Sequence, residues 1–213
     1  MTIAEHNLAD QDFNADLPLH PGRRMTEEEF VEWSSDFWAE WIDGEIIMMM
    51  AVNRDHASLQ DFLYRLLGMF VEERGLGRTF AEPYQIRLHP QRRRRAPDIM
   101  FVSKDRSDII KKNHIEGGPD LIIEIVSPES ESRDWRDKYL EYESAGVREY
   151  WVVNPTSGRT EAYTLSQDGK YSPTPELNGK ISSTVLPGFH IRPAWILAQP
   201  LPRVRDALAD MGM

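Results

Sequence analysis

The spacing of apolar residues along the chain changes between helical and strand-like periods. From Asn53 onward the apolar residues recur every three or four positions, which predicts a long amphipathic helix; they are Leu59, Phe62, Leu63, Leu66, Leu67 and Phe70. A capping-box pattern at residues 26–29 predicts a short helix through about Trp33. A third helix is predicted over about 132–145.

The segments between these helices have the alternating or continuously apolar patterns that are typical of strands. Asp43 and Gly44 predict a tight hairpin turn between two such runs. Residues 78–88 alternate as one strand, residues 89–95 form a basic connection, and a second strand begins directly after Pro97. Further strands are predicted at 121–126, 148–154 and 160–165, with one more short strand and a helical turn in 183–197.

Helices that alternate with strands predict a single α/β domain, in which a central mixed β-sheet is flanked by helices. A chain of 213 residues that is 40% hydrophobic can bury one sizeable core. Residues 1–22 are polar and aperiodic, so we expect a flexible N-terminal lead-in. Residues 23–200 form the expected domain, and residues 201–213 form a C-terminal tail.

Charge and cysteine usage narrow the expected partners and compartment. The formal net charge of -10 opposes a broad, nonspecific nucleic-acid surface but is compatible with a local basic cluster. The chain has no cysteine, which excludes disulfides, thiolate nucleophiles and Cys-ligated zinc and agrees with a reducing compartment. The longest apolar run, residues 46–52, is far shorter than the ~20 residues of a membrane-spanning helix. A soluble, cytoplasmic protein is therefore expected.

One carboxylate interrupts the most apolar strand of the sequence. Five of the six residues from Leu121 to Val126 are Leu, Ile or Val, which is typical of a strand buried on both faces, and the sixth is Glu124. An isolated charge would be strongly destabilising in that position. We therefore expect Glu124 to be neutral, to face a cation on a neighbouring element, or to bind a metal ion.

Two other residues are candidates for the surroundings of Glu124. Asp98 stands at the mouth of the preceding strand, and Lys138 lies beside Trp135 and Tyr142 on the helix that follows. Two carboxylates on adjacent strands are ligands that Mg2+ prefers, and a nearby lysine can assist an attacking water or stabilise phosphate charge. A purely structural ion pair between Glu124 and Lys138 explains the same spacing. The spacing does not decide between these interpretations.

Three motifs surround these residues: APDIMFV contains Asp98, PDLIIEIVSPES contains Glu124, and RDWRDKYLEYESAGVREYWVVNP contains Lys138. In these motifs the chain resembles the Uma2 family of restriction-type endonucleases, a branch of the PD-(D/E)XK nuclease superfamily. The resemblance also includes EWIDGEI, DHASLQDFLYRLL and VLPGFHI, so it covers about residues 25–198. It implies a restriction-endonuclease-like α/β core, Mg2+-dependent hydrolysis of DNA, and usually a homodimer.

The resemblance also implies roles for individual residues. Asp98 corresponds to the aspartate of the family's Pro-Asp motif, Glu124 to the second acidic ligand, and Lys138 to a lysine carried by the next helix. Asp98, Glu124 and the backbone carbonyl of Ile125 are then expected to hold Mg2+, or Mn2+ in its place, while Lys138 orients or activates the attacking water. In the broader superfamily the lysine stands two residues after the second acid, where this chain has Val126.

Other residues have both a functional and a structural explanation. Glu40 corresponds to the glutamate of the family's first hairpin, and it is either a further acidic group near the metal or a plain hairpin glutamate. His56 is either a site residue or a histidine packed at a helix N-terminus. Directly upstream of Asp98, an arginine run either holds DNA phosphates or forms a solvated basic loop; it consists of Arg92, Arg93, Arg94 and Arg95.

The sequence thus predicts a metal-dependent endonuclease that hydrolyses DNA phosphodiester bonds. An alternative is a nucleic-acid-binding or assembly module that keeps the nuclease fold without useful catalysis. The acidic net charge favours this alternative, whereas the set of Asp98, Glu124 and Lys138 opposes it. A third possibility is a structural protein in which Glu124 and Lys138 only specify packing.

Overall fold

Helices and strands alternate along the chain in the computed structural model, which describes residues 24–34, 37–89, 91–126 and 134–213 and gives only the backbone of Asp134 and Trp135. The helices are α1 (Glu27–Trp33), α2 (Arg54–Glu73), α3 (Asp134–Ser144), α4 (Pro193–Ile196) and α5 (Val204–Asp210). The expected lead-in, residues 1–22, lies outside the described residues.

The strands of the described residues are short; eleven belong to two main sheets, and the last two pair only with each other. They are β1 (Ala39–Ile42), β2 (Glu45–Met48), β3 (Gly77–Ala81), β4 (Gln85–Leu88), β5 (Arg93–Arg95), β6 (Ile99–Ser103), β7 (His114–Glu116), β8 (Leu121–Ile125), β9 (Glu149–Val153), β10 (Thr160–Leu165), β11 (Tyr171–Pro173), β12 (Ile181–Ser182) and β13 (His190–Ile191). A 3-10 helix, Lys104–Ile109, follows β6.

The larger sheet is mixed and contains the most buried strands. Its order is β11-β10-β9-β8-β6-β3, in which β8 and β9 are parallel and the other neighbours are antiparallel. The smaller sheet has the order β2-β1-β5-β4-β7, with β4 and β7 parallel. The predicted α/β class, with mixed sheets and flanking helices, is confirmed.

Alternate residues of the central strands point to opposite faces of the larger sheet. On one face, Phe101 of β6 and Ile123 of β8 pack into a core with the apolar stripe of α2. On the other face, Met100 and Ile122 pack with the smaller sheet and with Tyr142 of α3. Glu124 follows Ile122 by two residues, so its side chain lies on this second face, beneath α3.

Several local predictions are confirmed in detail. The Thr26 hydroxyl accepts a hydrogen bond from the Glu29 backbone N–H, and the Glu29 carboxylate accepts one from the Thr26 N–H, which completes the capping box of α1. Asp43 and Gly44 connect β1 to β2, and both have the positive φ that this tight turn requires. The Asn53 side chain accepts from the His56 N–H and caps α2.

The structure corrects two of the predicted strand assignments. Residues 78–88 do not form one strand, because the chain turns at residues 82–84 and passes from β3 in the larger sheet to β4 in the smaller one. Alternation continues on both sides of the turn, and Pro83 is the residue within the segment that indicates a break. Residues 89–95 are not simply a connection either, since Arg93–Arg95 form β5 between β1 and β4.

The C-terminal residues join the main core. Val204, Ala207 and Leu208 of α5 are buried in the hydrophobic cluster that contains the apolar stripe of α2. The same cluster contains the side chains of β8 that face α2. Helix α5 therefore stabilises the position of α2. In the described residues, no helix has both the length and the apolar character that are needed to cross a bilayer.

Candidate active site

Asp98 lies at the start of β6 and connects this strand to two other elements. Its Oδ2 accepts a hydrogen bond of 2.6 Å from the backbone N–H of Ile125 in β8, and its Oδ1 lies 3.1 Å from Nε2 of His56 in α2. The register of β6 and β8 places Ile99 opposite Ile123, so Asp98 and Glu124 are neighbours across the two strands. The sequence-predicted convergence of these two carboxylates is therefore present.

Glu124 is buried and is held from the side of α3. Its Oε2 lies 3.0 Å from Nζ of Lys138, and its Oε1 accepts a hydrogen bond of 2.7 Å from the Tyr142 hydroxyl. Burial raises the pKa of Glu124 to about 7; the charge of Lys138 opposes this rise and that of Asp98 adds to it. The predicted contact with Lys138 is confirmed, while the catalytic role of the lysine stays a prediction.

Glu40 reaches this region from β1 and forms a second buried ion pair. Its Oε2 accepts a hydrogen bond of 2.7 Å from Arg95, and its Oε1 accepts one of 3.0 Å from the backbone N–H of Ala96. Burial raises the pKa of Glu40, but the positive charges of Lys138 and Arg95 outweigh this effect and the net pKa is lowered. Glu40 is thus an ionised carboxylate that fixes the chain just before Asp98.

Glu82 is a further acidic residue of the site, and sequence reasoning missed it. His56, Glu82 and Asp98 each offer a ligand atom, and these atoms all lie within 4.8 Å of one another, as in a group that could hold a metal ion. Glu82 follows β3 directly and accepts a hydrogen bond of 3.0 Å from Gln60 of α2. The turn that brings Glu82 there contains Pro83, which was the signal of a break within residues 78–88.

His56 is ionisable and lies in the field of several carboxylates. Burial lowers the pKa of His56, but the hydrogen bond and charge of Asp98 outweigh burial and raise the pKa above its ordinary value of 6.5. Burial and the charge of Asp98 likewise raise the pKa of Glu82 above 4.5. The negative charge of Asp98 thus contributes to both shifts, while burial is the larger cause for Glu82.

The positive charge of Lys138 acts on several carboxylates. Its charge lowers the pKa of Glu40, Glu82 and Glu124, while the charge of Asp98 raises the pKa of both Glu82 and Glu124. Arg95 also pairs with Glu40, and His56 lies against Asp98, yet burial keeps the pKa of Glu82 and Glu124 above the ordinary value. A divalent cation with oxygen ligands fits such a site, because it adds positive charge where desolvated carboxylates lie side by side.

The arginine run does not form the exposed loop that a phosphate-binding role needs. Arg94 and Arg95 are buried; Arg94 pairs with Glu27, and Arg95 pairs with Glu40 and Glu141. Arg93 pairs with Asp43 and Glu141. Arg92 alone of the four is exposed, with its guanidinium 5.7 Å from the ring of Trp41. The run therefore joins β5 to its neighbours instead of presenting four free cations.

An open groove leads away from the site along α2. A cavity of about 300 Å3 is lined by Asn53, His56, Val126 and Thr156. A second cavity of about 510 Å3 shares four lining residues with the first, so the two lie next to each other; the shared residues are Asp55, Pro155, Ile196 and Gln199. The larger cavity contains three exposed arginines: Arg54, Arg65 and Arg203.

The chain matches one family model and is similar in fold to a solved structure. The family model described as "Uma2: Putative restriction endonuclease" matches residues 27–194. A crystal structure of a "putative nuclease belonging to DUF820" from Anabaena variabilis ATCC 29413 has a TM-score of 0.61 and 20% sequence identity, and the alignment covers 75% of this chain and 91% of that one. At this identity the likeness shows the fold alone. No match is found among curated proteins. The family match spans most of the chain, and the protein belongs to the Uma2 family.

Proposed function

We propose that this protein is a metal-dependent nuclease that hydrolyses phosphodiester bonds of DNA. The observation that carries the proposal is the meeting of Asp98, Glu124 and Lys138 at the ends of β6 and β8. His56, which lies against Asp98, lines a neighbouring cavity. The match to a family described as "Putative restriction endonuclease" supports the same reaction class, and the Anabaena structure supports the fold.

Asp98, Glu124 and the backbone carbonyl of Ile125 are the proposed ligands of Mg2+, with Mn2+ as a substitute. The donor set fits, since hard oxygen ligands suit these ions and burial raises the pKa of the neighbouring carboxyl groups of Glu82 and Glu124. A bound divalent ion would supply positive charge to the scissile phosphate and would lower the pKa of a bound water. Glu124 must exchange its contacts with Lys138 or Tyr142 for such a ligand role.

Lys138 is the proposed catalytic cation of the protein itself. Its ammonium is held against Glu124 in a buried setting, where a charge acts more strongly than in water. The ammonium donates a hydrogen bond to the attacking water or to a phosphate oxygen as negative charge develops there. Glu40 is a positioning residue, because it holds Arg95 and the Ala96 N–H and so fixes the segment that carries Asp98.

The groove along α2 is the proposed path of the DNA backbone. Arg54, Arg65 and Arg203 line it and are mostly exposed, with 88%, 57% and 70% of their side-chain surface accessible. Each pairs with an aspartate at the surface, and such exposed pairs contribute only about 0–1 kcal/mol. A phosphate can therefore replace the aspartate. This groove takes the role that the sequence assigned to Arg92–Arg95.

A homodimer is proposed through strand β2. In the described residues, β2 is an edge strand of the smaller sheet. Its residues Ile47 and Met48 are each 42% exposed. Apolar edge strands tend to pair with another chain. Sedimentation of the parent and of Ile47→Lys tests this: a parent dimer that the lysine converts to a monomer is expected, and a parent monomer contradicts it. The cytoplasm is the proposed compartment, in keeping with a chain that has no cysteine.

Cleavage of a labelled DNA duplex tests the proposed function. We expect the parent to cut in Mg2+ or Mn2+ and to stop when EDTA is added. Asp98→Asn, which keeps the shape of the side chain, should show no cleavage in either ion. A parent that cuts equally well in EDTA contradicts the metal requirement, and a parent that binds DNA without cutting it in any divalent ion favours the binding-module alternative.

A further inference from the structure

We infer that His56, Glu82 and Asp98 form a second metal position, on the α2 side of Asp98, which binds a first-row transition ion such as Mn2+ more tightly than Mg2+. The inference rests on the proposed nuclease, to which it adds a second ion and an ion preference. It concerns residues other than Glu124 and Lys138, so it can be tested separately.

The three side chains already have almost the spacing that an ion requires. Their ligand atoms lie within 4.8 Å of one another, and Nε2 of His56 is 3.1 Å from Oδ1 of Asp98. Ligands on opposite sides of a six-coordinate ion lie about 4 Å apart, since each bond to a Mg2+-sized ion is about 2.1 Å. An ion can therefore enter with only small movements of the side chains.

The two oxygens of Asp98 face different elements, which separates this position from Glu124. Oδ1 faces His56, whereas Oδ2 is held by the backbone N–H of Ile125 in β8. Glu124 is bound on the opposite face of the sheet by Lys138 and Tyr142 of α3. Asp98 would therefore offer Oδ1 to an ion beside His56 and Oδ2 to an ion beside Glu124.

Gln60 of α2 forms hydrogen bonds that hold Glu82 and Asp98 in position, as residues outside a metal's ligand set commonly do for the ligands. Its side-chain amide donates to Oε1 of Glu82 at 3.0 Å and to the backbone carbonyl of Asp98 at 3.3 Å. It lies four residues after His56, on the same side of α2. One amide therefore fixes both carboxylate ligands relative to the helix that carries the histidine, an arrangement typical of ligand-orienting hydrogen bonds.

The ligands of this position are chemically selective. The position lies beside the cavity of about 300 Å3, which His56 lines. Mg2+ prefers oxygen ligands only, whereas an imidazole nitrogen favours transition ions. A set with one nitrogen and two carboxylates should therefore prefer Mn2+ to Mg2+, while the oxygen ligands at Glu124 should accept both.

Mn2+ titration of the metal-free, full-length protein tests this inference. Calorimetry gives the number of ions bound, and electron paramagnetic resonance gives the free Mn2+. We expect the parent to bind two Mn2+ ions, of which excess Mg2+ displaces one. The Mg2+-resistant ion is assigned to His56, Glu82 and Asp98.

Substitutions separate the two ions. Glu82→Gln and His56→Asn should each weaken the Mg2+-resistant ion at least tenfold, Glu124→Gln should remove the other ion, and Asp98→Asn should weaken both. Gln60→Leu leaves every ligand in place and should weaken the Mg2+-resistant ion about 10–100-fold. Glu73→Gln, at an exposed position near the end of α2, should bind both ions as the parent does.

Two results would overturn the inference: a parent that binds a single Mn2+, or parental affinity for the Mg2+-resistant ion in both Glu82→Gln and Gln60→Leu. Thermal melting checks that each variant is folded. Failure of the nuclease proposal would give a different result: the protein would still bind two Mn2+ ions, one of them resistant to Mg2+, but would cut no DNA.

Discussion

Nζ of Lys138 lies 3.0 Å from Oε2 of Glu124, and both side chains are buried although they come from different elements, α3 and β8. The ion pair explains how a carboxylate is tolerated in the most apolar strand of the chain. It does not fully neutralise that carboxylate, because the pKa of Glu124 is raised to about 7 by burial and by Asp98 in spite of the lysine. A pair that is only partly compensated is more typical of a reactive site than of a structural bridge.

The first prediction separates catalytic from structural roles of Lys138. Lys138→Met keeps the apolar stem and should slow DNA cleavage at least about 100-fold, since a preorganised charge near the reacting phosphate is lost. Mn2+ affinity should change little. The loss of unfolding free energy at pH 7 should stay below the about 3–5 kcal/mol of a bare buried charge, because Glu124 can take up a proton instead.

Single-turnover cleavage, calorimetry and denaturant titration measure these three quantities for Lys138→Met. Cleavage at the parental rate would rule out Lys138 as a catalytic residue. A large loss of stability together with unchanged cleavage would assign it a structural role only.

The second prediction concerns Arg95, whose side chain is only 4% exposed and pairs with Glu40 and Glu141. Arg95→Met should cost about 3–5 kcal/mol of unfolding free energy, because it leaves two carboxylates without their common cation. Arg92→Met is the matched control at the exposed end of the same run, and it should change stability by less than about 0.5 kcal/mol. Equal effects of the two substitutions in urea denaturation would contradict the structural role of Arg95.

The third prediction tests the groove as the DNA path. Arg203 and Arg205 are similarly exposed, at 70% and 73%, and both pair with Asp206, but only Arg203 lines the groove. Arg203→Ala should weaken DNA binding and reduce the slope of log K against log salt by about 0.9, the effect of one lost phosphate contact. Arg205→Ala should leave both unchanged. Identical salt slopes for the two variants, measured by fluorescence anisotropy, would exclude the groove as a specific path.

The fourth prediction uses Glu149, a buried carboxylate that has no place in the proposed site. It accepts hydrogen bonds from the Ser183 hydroxyl and the Thr184 N–H. Burial is the main influence and raises the pKa of Glu149 above its ordinary 4.5, although these hydrogen bonds lower it. A raised pKa in the folded state stabilises the protein below about pH 4.5, and this stabilisation is lost as the pH rises through the folded pKa.

Glu149→Gln cannot ionise and lacks this pH dependence. The unfolding free energy of the parent relative to that of the variant should therefore be largest near pH 4 and should decrease toward pH 8, as measured by denaturant titration at each pH. A difference that increases with pH would mean that the pKa of Glu149 is lowered by folding.

Local chemistry explains why much of the fold could be predicted from the sequence. The α1 capping box, the Asp43-Gly44 turn and the apolar stripe of α2 each depend on residues close together in the chain. The division of residues 78–88 between two sheets depends on contacts with distant strands. Nothing in an alternating pattern of that length specifies which sheet each half joins.

The same distinction applies to the site. The contact between Lys138 and Glu124 could be predicted, because the lysine borders the aromatic stripe of the helix that directly follows the strand. Glu82 could not, since its approach to Asp98 depends on the turn after β3. Burial of the arginine run was also missed, because its partner carboxylates come from α1, β1 and α3.

Single-turnover cleavage of duplex DNA by Glu124→Gln and Glu149→Gln in saturating Mn2+ tests the central claim most directly. Both substitutions remove a buried carboxylate from neighbouring strands of the same sheet, but only Glu124 lies beside Asp98 and Lys138. We predict that Glu124→Gln cuts at least about 100-fold more slowly than the parent, and that Glu149→Gln cuts at the parental rate. Parental cleavage by Glu124→Gln would contradict the account, because the carboxylate buried in β8 would then have no part in the reaction.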